Sequence, residues 1–179
     1  MNHDYILIFP QDLLLALCEE FELECCASLA QAITRHVNDA KAVRERGGEE
    51  WWKLHEAAML ALGSGQEVIE TQVKAGNVQF DMGGFMTDVV LQDLNSPVHP
   101  FLLGRCLWVA SKFPAHLQQQ TITSFLEGTV VGLGQEQAVP VRISAVRAIW
   151  GFCSHLKSKA QTDSEASRQL LVPLLPALV

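Results

Sequence analysis

From Pro140 to Leu156 the chain reads PVRISAVRAIWGFCSHL, and its apolar positions fall on two sides of a helix. Val141, Ala145, Ala148, Ile149, Phe152 and Leu156 share one face. Ile143, Val146, Trp150 and Cys153 make a second apolar stripe. Ser144, Arg147, Gly151, Ser154 and Ser158 leave a single narrow polar or small strip. An ordinary surface helix needs only one apolar face. Two such faces predict a helix with neighbours on both flanks. Pro140 suits its first turn, where a missing N–H is no loss.

Two other stretches have the same character. WWKLHEAAMLALG spans 51–63 and PFLLGRCLWVASKF spans 100–113. Aligning the small residues Ala57, Gly104 and Ala145 also aligns Gly63, Ala110 and Gly151, at offsets of 47 and 41 residues. A helical period of about 40–47 residues points to HEAT or armadillo repeats. Each repeat is a helix pair that hides its apolar surface only by stacking on the next. The expected fold is all-α, an armadillo-like solenoid in a right-handed superhelix. Residues 1–179 form one array of about four helix pairs, with residues 1–9 atypical.

The remaining segments fit between these three. YILIF near the start suits a short strand or a frayed helix. A helix is predicted over 10–22, with Leu13, Leu14, Leu17 and Phe21 on its buried face. The next, over 23–46, buries Leu29, Ile33 and Val37. Its basic end, with Arg35, Lys41, Arg44 and Arg46, complements the helix dipole, and Gly47 and Gly48 stop it. Helices over 67–74, 80–94 and 117–133 follow. In the last of these Ile122, Phe125, Leu126, Thr129, Val130 and Leu133 keep the helical rhythm. Thr162 and Glu165 form a capping box for a final helix carrying Leu170, Leu171, Val172, Leu174 and Leu175. Solenoid ends need polar outer faces, yet LLVPLLPALV, LLLALC and YILIF are apolar. The chain therefore reads as part of a longer array.

Composition narrows the function. The 179 residues are 49% hydrophobic and 18% charged, which supports a real core. A net charge of −7 argues against non-specific nucleic-acid binding, which needs cations to displace phosphate counterions. It permits a basic protein partner. Five cysteines, an odd number lying in apolar helical stretches, read as free thiols of a reducing compartment. No apolar run approaches the ~20 residues of a membrane helix.

Chemistry of an enzyme or a metal centre is not indicated. His3, His36, His55, His99, His116 and His155 form no HExxH pattern, and no CxxC spacing occurs. Cys25 and Cys26 are adjacent and cannot both face one ligand. GTVVGLG, with Gly128, Gly132 and Gly134, lacks the Lys-Ser/Thr of a phosphate loop. His55 and Glu56 are sequence neighbours and point about 100° apart on a helix. Trp51, Trp52, Trp108 and Trp150 sit beside Leu and Ala at helical spacing, as residues of a core or of an inter-repeat contact do. The residues assign no catalytic group, metal or cofactor.

EEWWKLHEAAMLALG, FDMGGFMTDVVLQDL, PFLLGRCLWVASKF and VRISAVRAIWGFCSHLK together resemble the importin-β (karyopherin-β) family of nuclear transport receptors. The likeness is strongest from Glu49 to Lys157 and suggests an internal part of a much longer receptor. It implies a HEAT-repeat superhelix that shuttles between cytoplasm and nucleus. It also implies basic cargo such as histones and ribosomal proteins, phenylalanine-glycine (FG) nucleoporins as partners, and release by the small GTPase Ran. Ran's principal repeats in the family are N-terminal and are not recognisable in this stretch. Acidic candidates for a cargo-facing surface are Glu49, Glu50, Glu67, Glu70, Asp88 and Asp93. The competing reading is a structural scaffold segment that spaces functional repeats and touches no ligand.

Overall fold

The computed structural model describes residues 4–96 and 99–160, with Glu165 and Val172, and side chains from Asp12 onward. All regular elements among the described residues are helical, with no strand. The HEAT-type, all-α expectation holds. The chain divides into two compact units, Met1–Asp81 and Met82–Val179.

The first unit holds α1 (Asp4–Glu20), α2 (Glu22–Glu45), α3 (Trp51–Ser64) and α4 (Gln66–Lys74). The helix predicted from residue 10 begins earlier, at Asp4, and passes through Pro10. Of the four residues expected on the buried face, Leu13, Leu17 and Phe21 are exposed and only Leu14 is half-buried, whereas Cys18 is buried. The register missed by one position because Leu14 and Cys18, not Leu13 and Leu17, lie over the rest of the unit.

Helix α2 packs on α3 as a hairpin. The end of α3 lies against the start of α2, since a Cβ on Gly65 would stand 2.9 Å from Leu29 Cδ2. At the other end the Arg44 guanidinium lies over the Trp51 ring, 4.7 Å from its centroid. The basic end of α2 thus caps and packs at once. Arg46 Nε also donates to the Ala42 carbonyl at 3.0 Å. The stop at Gly47 is a Schellman turn: Gly48 N–H reaches Val43 O at 2.9 Å, and Gly47 N–H reaches Arg44 O. Gly47 has φ +76°, a region costly to residues with a Cβ. Gly76 repeats the device after α4. Leu29, Ile33, Met59, Leu62 and Ile69 fill the core between α2, α3 and α4.

The second unit begins with one helical run in three parts: α5 (Met82–Phe85), a π-helical turn (Met86–Val90) and α6 (Leu91–Leu94). Then come α7 (Pro100–Lys112), a 3-10 turn at Pro114–His116, α8 (Gln119–Gly132) and α9 (Val139–Ala160). The wide turn at 86–90 was not legible in the periodicity, because a π turn shifts the register without changing residue types.

Helices α7 and α9 lie side by side and run the same way. A Cβ on Gly104 would be 2.8 Å from Ser144 Oγ and 3.3 Å from the Pro140 carbonyl. A Cβ on Gly151 would be 2.8 Å from the Ser111 carbonyl oxygen. The contacts 104–144 and 111–151 advance together, so the helices are parallel with a 40-residue register. Helix α8 closes the gap between them. A Cβ on its Gly132 would be 3.0 Å from Leu107 Cδ1 of α7 and 3.2 Å from Ala145 Cβ of α9. Phe113, Phe125, Leu107 and Phe152 are fully buried in this unit.

Only one of the two apolar faces of α9 is covered among the described residues. Val141, Ala145, Ala148, Phe152 and Leu156 are buried. Ile143 and Val146 are exposed, and Trp150 is 76% exposed, so it is not a core residue of this unit. The segment following α9, with the capping box at Thr162 and the leucines from Leu170, lies outside the described residues apart from Glu165 and Val172.

Two predictions follow from the α7–α9 contact. Gly151→Ala adds helix propensity of about 1 kcal/mol, but its Cβ meets backbone that side-chain motion cannot relieve. It is expected to lower stability by about 1–3 kcal/mol, read by denaturant unfolding. A gain in stability would contradict the close approach. Replacing Ile143, Val146 and Trp150 together by serine is expected to leave folding intact and to reduce self-association in sedimentation. An unchanged sedimentation distribution would mean that the exposed stripe drives no association.

Candidate cargo-facing surface

The six acidic candidates are not one cluster. Glu49 and Glu50 are exposed in the turn before α3. Glu50 is held by an ion pair with Lys53, one turn on. Such an exposed pair is worth little to stability. Glu67 is exposed in the first turn of α4, where a carboxylate complements the helix dipole. Glu70, half-buried one turn later, accepts from Gln66 Nε2 at 3.3 Å. These four lie in the first unit.

The other two lie in the second unit and part company there. Asp88 is exposed on the π-helical turn. Asp93 is only 4% exposed and is removed from any cargo-facing surface. Its nearness adds to the effect of burial in pushing the Cys106 thiol up, so that this sulfur stays protonated. The π turn explains the miss: it rotates the residues after it relative to a plain α-helix, and Asp93 lands inward.

Charge is divided sharply between the units. Residues 1–81 carry 14 acidic and 6 basic side chains, a net −8, whereas residues 82–179 carry 6 acidic and 7 basic, a net +1. The acidity of the whole chain is therefore a property of the first unit. Attraction to a basic partner acts over about one Debye length, ~8 Å at physiological salt, so clustering in one unit matters more than the total.

A groove in the same unit was not singled out from the sequence. Gln31, Thr34, Arg35 and Asn38 of α2 line one side, and Asn77 and Gln79 the other. Ala27, Ala30 and Val78 also line it. The Asn77 amide donates to Gln72 Oε1 at 2.8 Å, and the buried Gln72 donates to Glu22 Oε2 at 3.4 Å. This chain fixes the wall of the groove against α2. Amides and a hydroxyl suit the N–H and C=O groups of an extended peptide, with little preference for its side chains. The signal was present: Gln31, Thr34, Arg35 and Asn38 repeat at helical spacing.

Several of the histidines and tryptophans make packing or capping contacts. His99 caps α7, its Nδ1 accepting from Phe101 N–H at 3.3 Å. His55 meets the Trp51 ring edge-on at 5.3 Å. Burial, with Lys159 nearby, lowers the pKa of His155. Arg105 and Lys112 flank the Trp108 ring. Among the described residues no three His, Cys, Asp or Glu side chains are placed to hold a metal. Nor is any described helix long and apolar enough to cross a membrane.

Helices α7 and α9, parallel and in contact on a 40-residue register, give the second unit the stacking of a HEAT-type repeat array. No family model matches the chain. It is similar to Importin-9 of Drosophila melanogaster, with 34% identity over 171 residues. The match takes in 94% of this chain and 16% of that protein, so the chain corresponds to a segment about one-sixth of the receptor's length. That similarity agrees with the likeness expected from the tryptophan-rich helices.

Asp88, exposed, and Asp93, buried, should respond differently to charge reversal. Asp93→Lys puts an ammonium into a buried position and is expected to cost several kcal/mol, whereas Asp88→Lys should stay within about 0.5 kcal/mol. Denaturant unfolding of both variants checks this. Equal effects would place Asp93 at the surface.

Proposed function

We propose that this chain is a stretch of a longer nuclear transport receptor and that its acidic first unit receives basic cargo, histones or ribosomal proteins among them. The observation that carries the reading is the separation of charge, net −8 against +1, in a chain similar to an importin. Glu49, Glu50 and Glu67, exposed in this unit, would take part in steering such a partner. The amide-lined groove beside Arg35 would supply backbone hydrogen bonds that tolerate varied sequences. Electrostatic steering raises encounter rates and is lost at high salt. In the whole receptor, Ran in its GTP form would release the cargo. FG nucleoporins would carry the complex through the pore between cytoplasm and nucleus. On this reading Glu70 contributes less, being half-buried and hydrogen-bonded, and Asp88 belongs to the other unit.

A scaffold role, in which these repeats only space other parts of the receptor, is the competing reading. The exposed apolar stripe on α9 favours it, because that stripe fits a neighbouring repeat and not a polar cargo.

The test is charge reversal measured by affinity for core histones at two salt concentrations. Reversing Glu49, Glu50 and Glu67 to lysine is expected to weaken binding at least tenfold in low salt, about 1.4 kcal/mol, and to flatten the salt dependence. Reversing Glu127 and Glu136 in the second unit serves as the control and should change affinity less than twofold. Equal effects of the two sets would favour the scaffold.

A further inference from the structure

Three thiols gather where α1 meets α2: Cys18, Cys25 and Cys26. Cys18 and Cys25 are seven residues apart, which in an unbroken helix separates them by about 10.5 Å along the axis. Here their sulfurs are 3.0 Å apart. The closure comes from Phe21, whose backbone leaves the helical region at φ −129° and ψ 53°. The corner is held by Phe21 N–H to Leu17 O at 2.9 Å and Cys25 N–H to Phe21 O at 2.7 Å. Nothing in the receptor function requires two thiols at this spot. A serine or alanine would fit the same corner.

We propose that Cys18 and Cys25 form a peroxide-sensitive thiol pair, a modification site at which a disulfide clips α1 to α2. Cys25 is half-buried and meets the oxidant first, while Cys18 is 1% exposed. Hydrogen peroxide transfers one oxygen to the Cys25 sulfur, giving a sulfenic acid and one water. The Cys18 sulfur then attacks that sulfur. The S–O bond breaks, the Cys18 proton leaves with the hydroxyl as a second water, and the S–S bond forms. Two thiols and one peroxide become one disulfide and two waters. Closing from 3.0 Å to a bond of about 2.05 Å needs a movement of roughly 1 Å, within reach of side-chain rotation. Burial pushes the Cys18 thiol up to about 12, so it remains protonated and quiet until its neighbour is oxidised. Cys26, fully buried and turned about 100° around the helix from Cys25, is left out.

Cys153 supplies an internal control, because it is also half-buried but lies in the other unit. The full 179-residue chain is treated with hydrogen peroxide, quenched with an alkylating reagent and mapped by peptide mass spectrometry. The expected result is a Cys18–Cys25 cross-linked peptide that accumulates at least tenfold faster than any oxidation at Cys153. Cys26→Ser should leave the cross-link and Cys25→Ser should abolish it, while mapping of the unaltered chain carries the test should a variant not fold. Sulfinic acid at Cys25 without the cross-link would overturn the proposal. So would a predominant Cys25–Cys26 or intermolecular disulfide.

Discussion

The close approach of α7 to α9 is the constraint on which the second unit rests. Two backbones come near enough at Gly104 and Gly151 that a methyl group would collide with Ser144 or with the Ser111 carbonyl. Those positions fix the relative translation of the helices, and with it the 40-residue register. Once the register is set, α8 has one place to lie, with Gly132 wedged between Leu107 and Ala145. Phe113, Phe125 and Phe152 can then be buried together. Small residues decide the geometry and large ones supply the energy, at about 25 cal/mol for each Å² of apolar surface hidden.

The first unit reaches a related end by different means. A hairpin of α2 and α3 is joined by a turn in which Gly47 takes a positive φ, and the joint is covered by Arg44 on Trp51. Cation and ring here act at one end of the hairpin, and the close approach of Gly65 to Leu29 acts at the other. The result leaves the polar side of α2 open, and Gln31, Thr34, Arg35 and Asn38 line a groove there. Acidic residues dominate this unit and are absent in excess from the other. Packing and charge thus divide the labour: one unit displays carboxylates, and the other carries an uncovered stripe at Ile143, Val146 and Trp150.

Much of this was legible beforehand where a helix has one dominant face. The buried positions Ile122, Phe125, Leu126 and Thr129 of α8, the start of α7 at Pro100 and, to within one residue, the start of α9 at Val139 follow directly from spacing. Difficulty arose where spacing is ambiguous. In α1 every position from Leu13 to Cys18 is apolar, so periodicity had no contrast there, and the buried position went to Cys18 instead of Leu17. In the 82–94 run a π turn rotated Asp93 inward while Asp88 stayed outside. The groove beside α2 was missed because polar helix positions read as solvated surface until a neighbouring loop, here Asn77 and Gln79, is seen to face them.

By itself the sequence determined that the chain is helical, that its helices stack in repeats, and that it resembles an importin-β receptor. Those properties depend on local periodicity, on prolines and glycines at helix ends, and on recognisable strings of residues. The tertiary structure decided the 40-residue register, the inward turn of Asp93, the outward turn of Trp150 and the meeting of Cys18 with Cys25. Each of these depends on contact between residues set by backbone geometry at a few points, Gly104, Gly151, Phe21 and the π turn. No pattern of polar and apolar letters encodes such a distance.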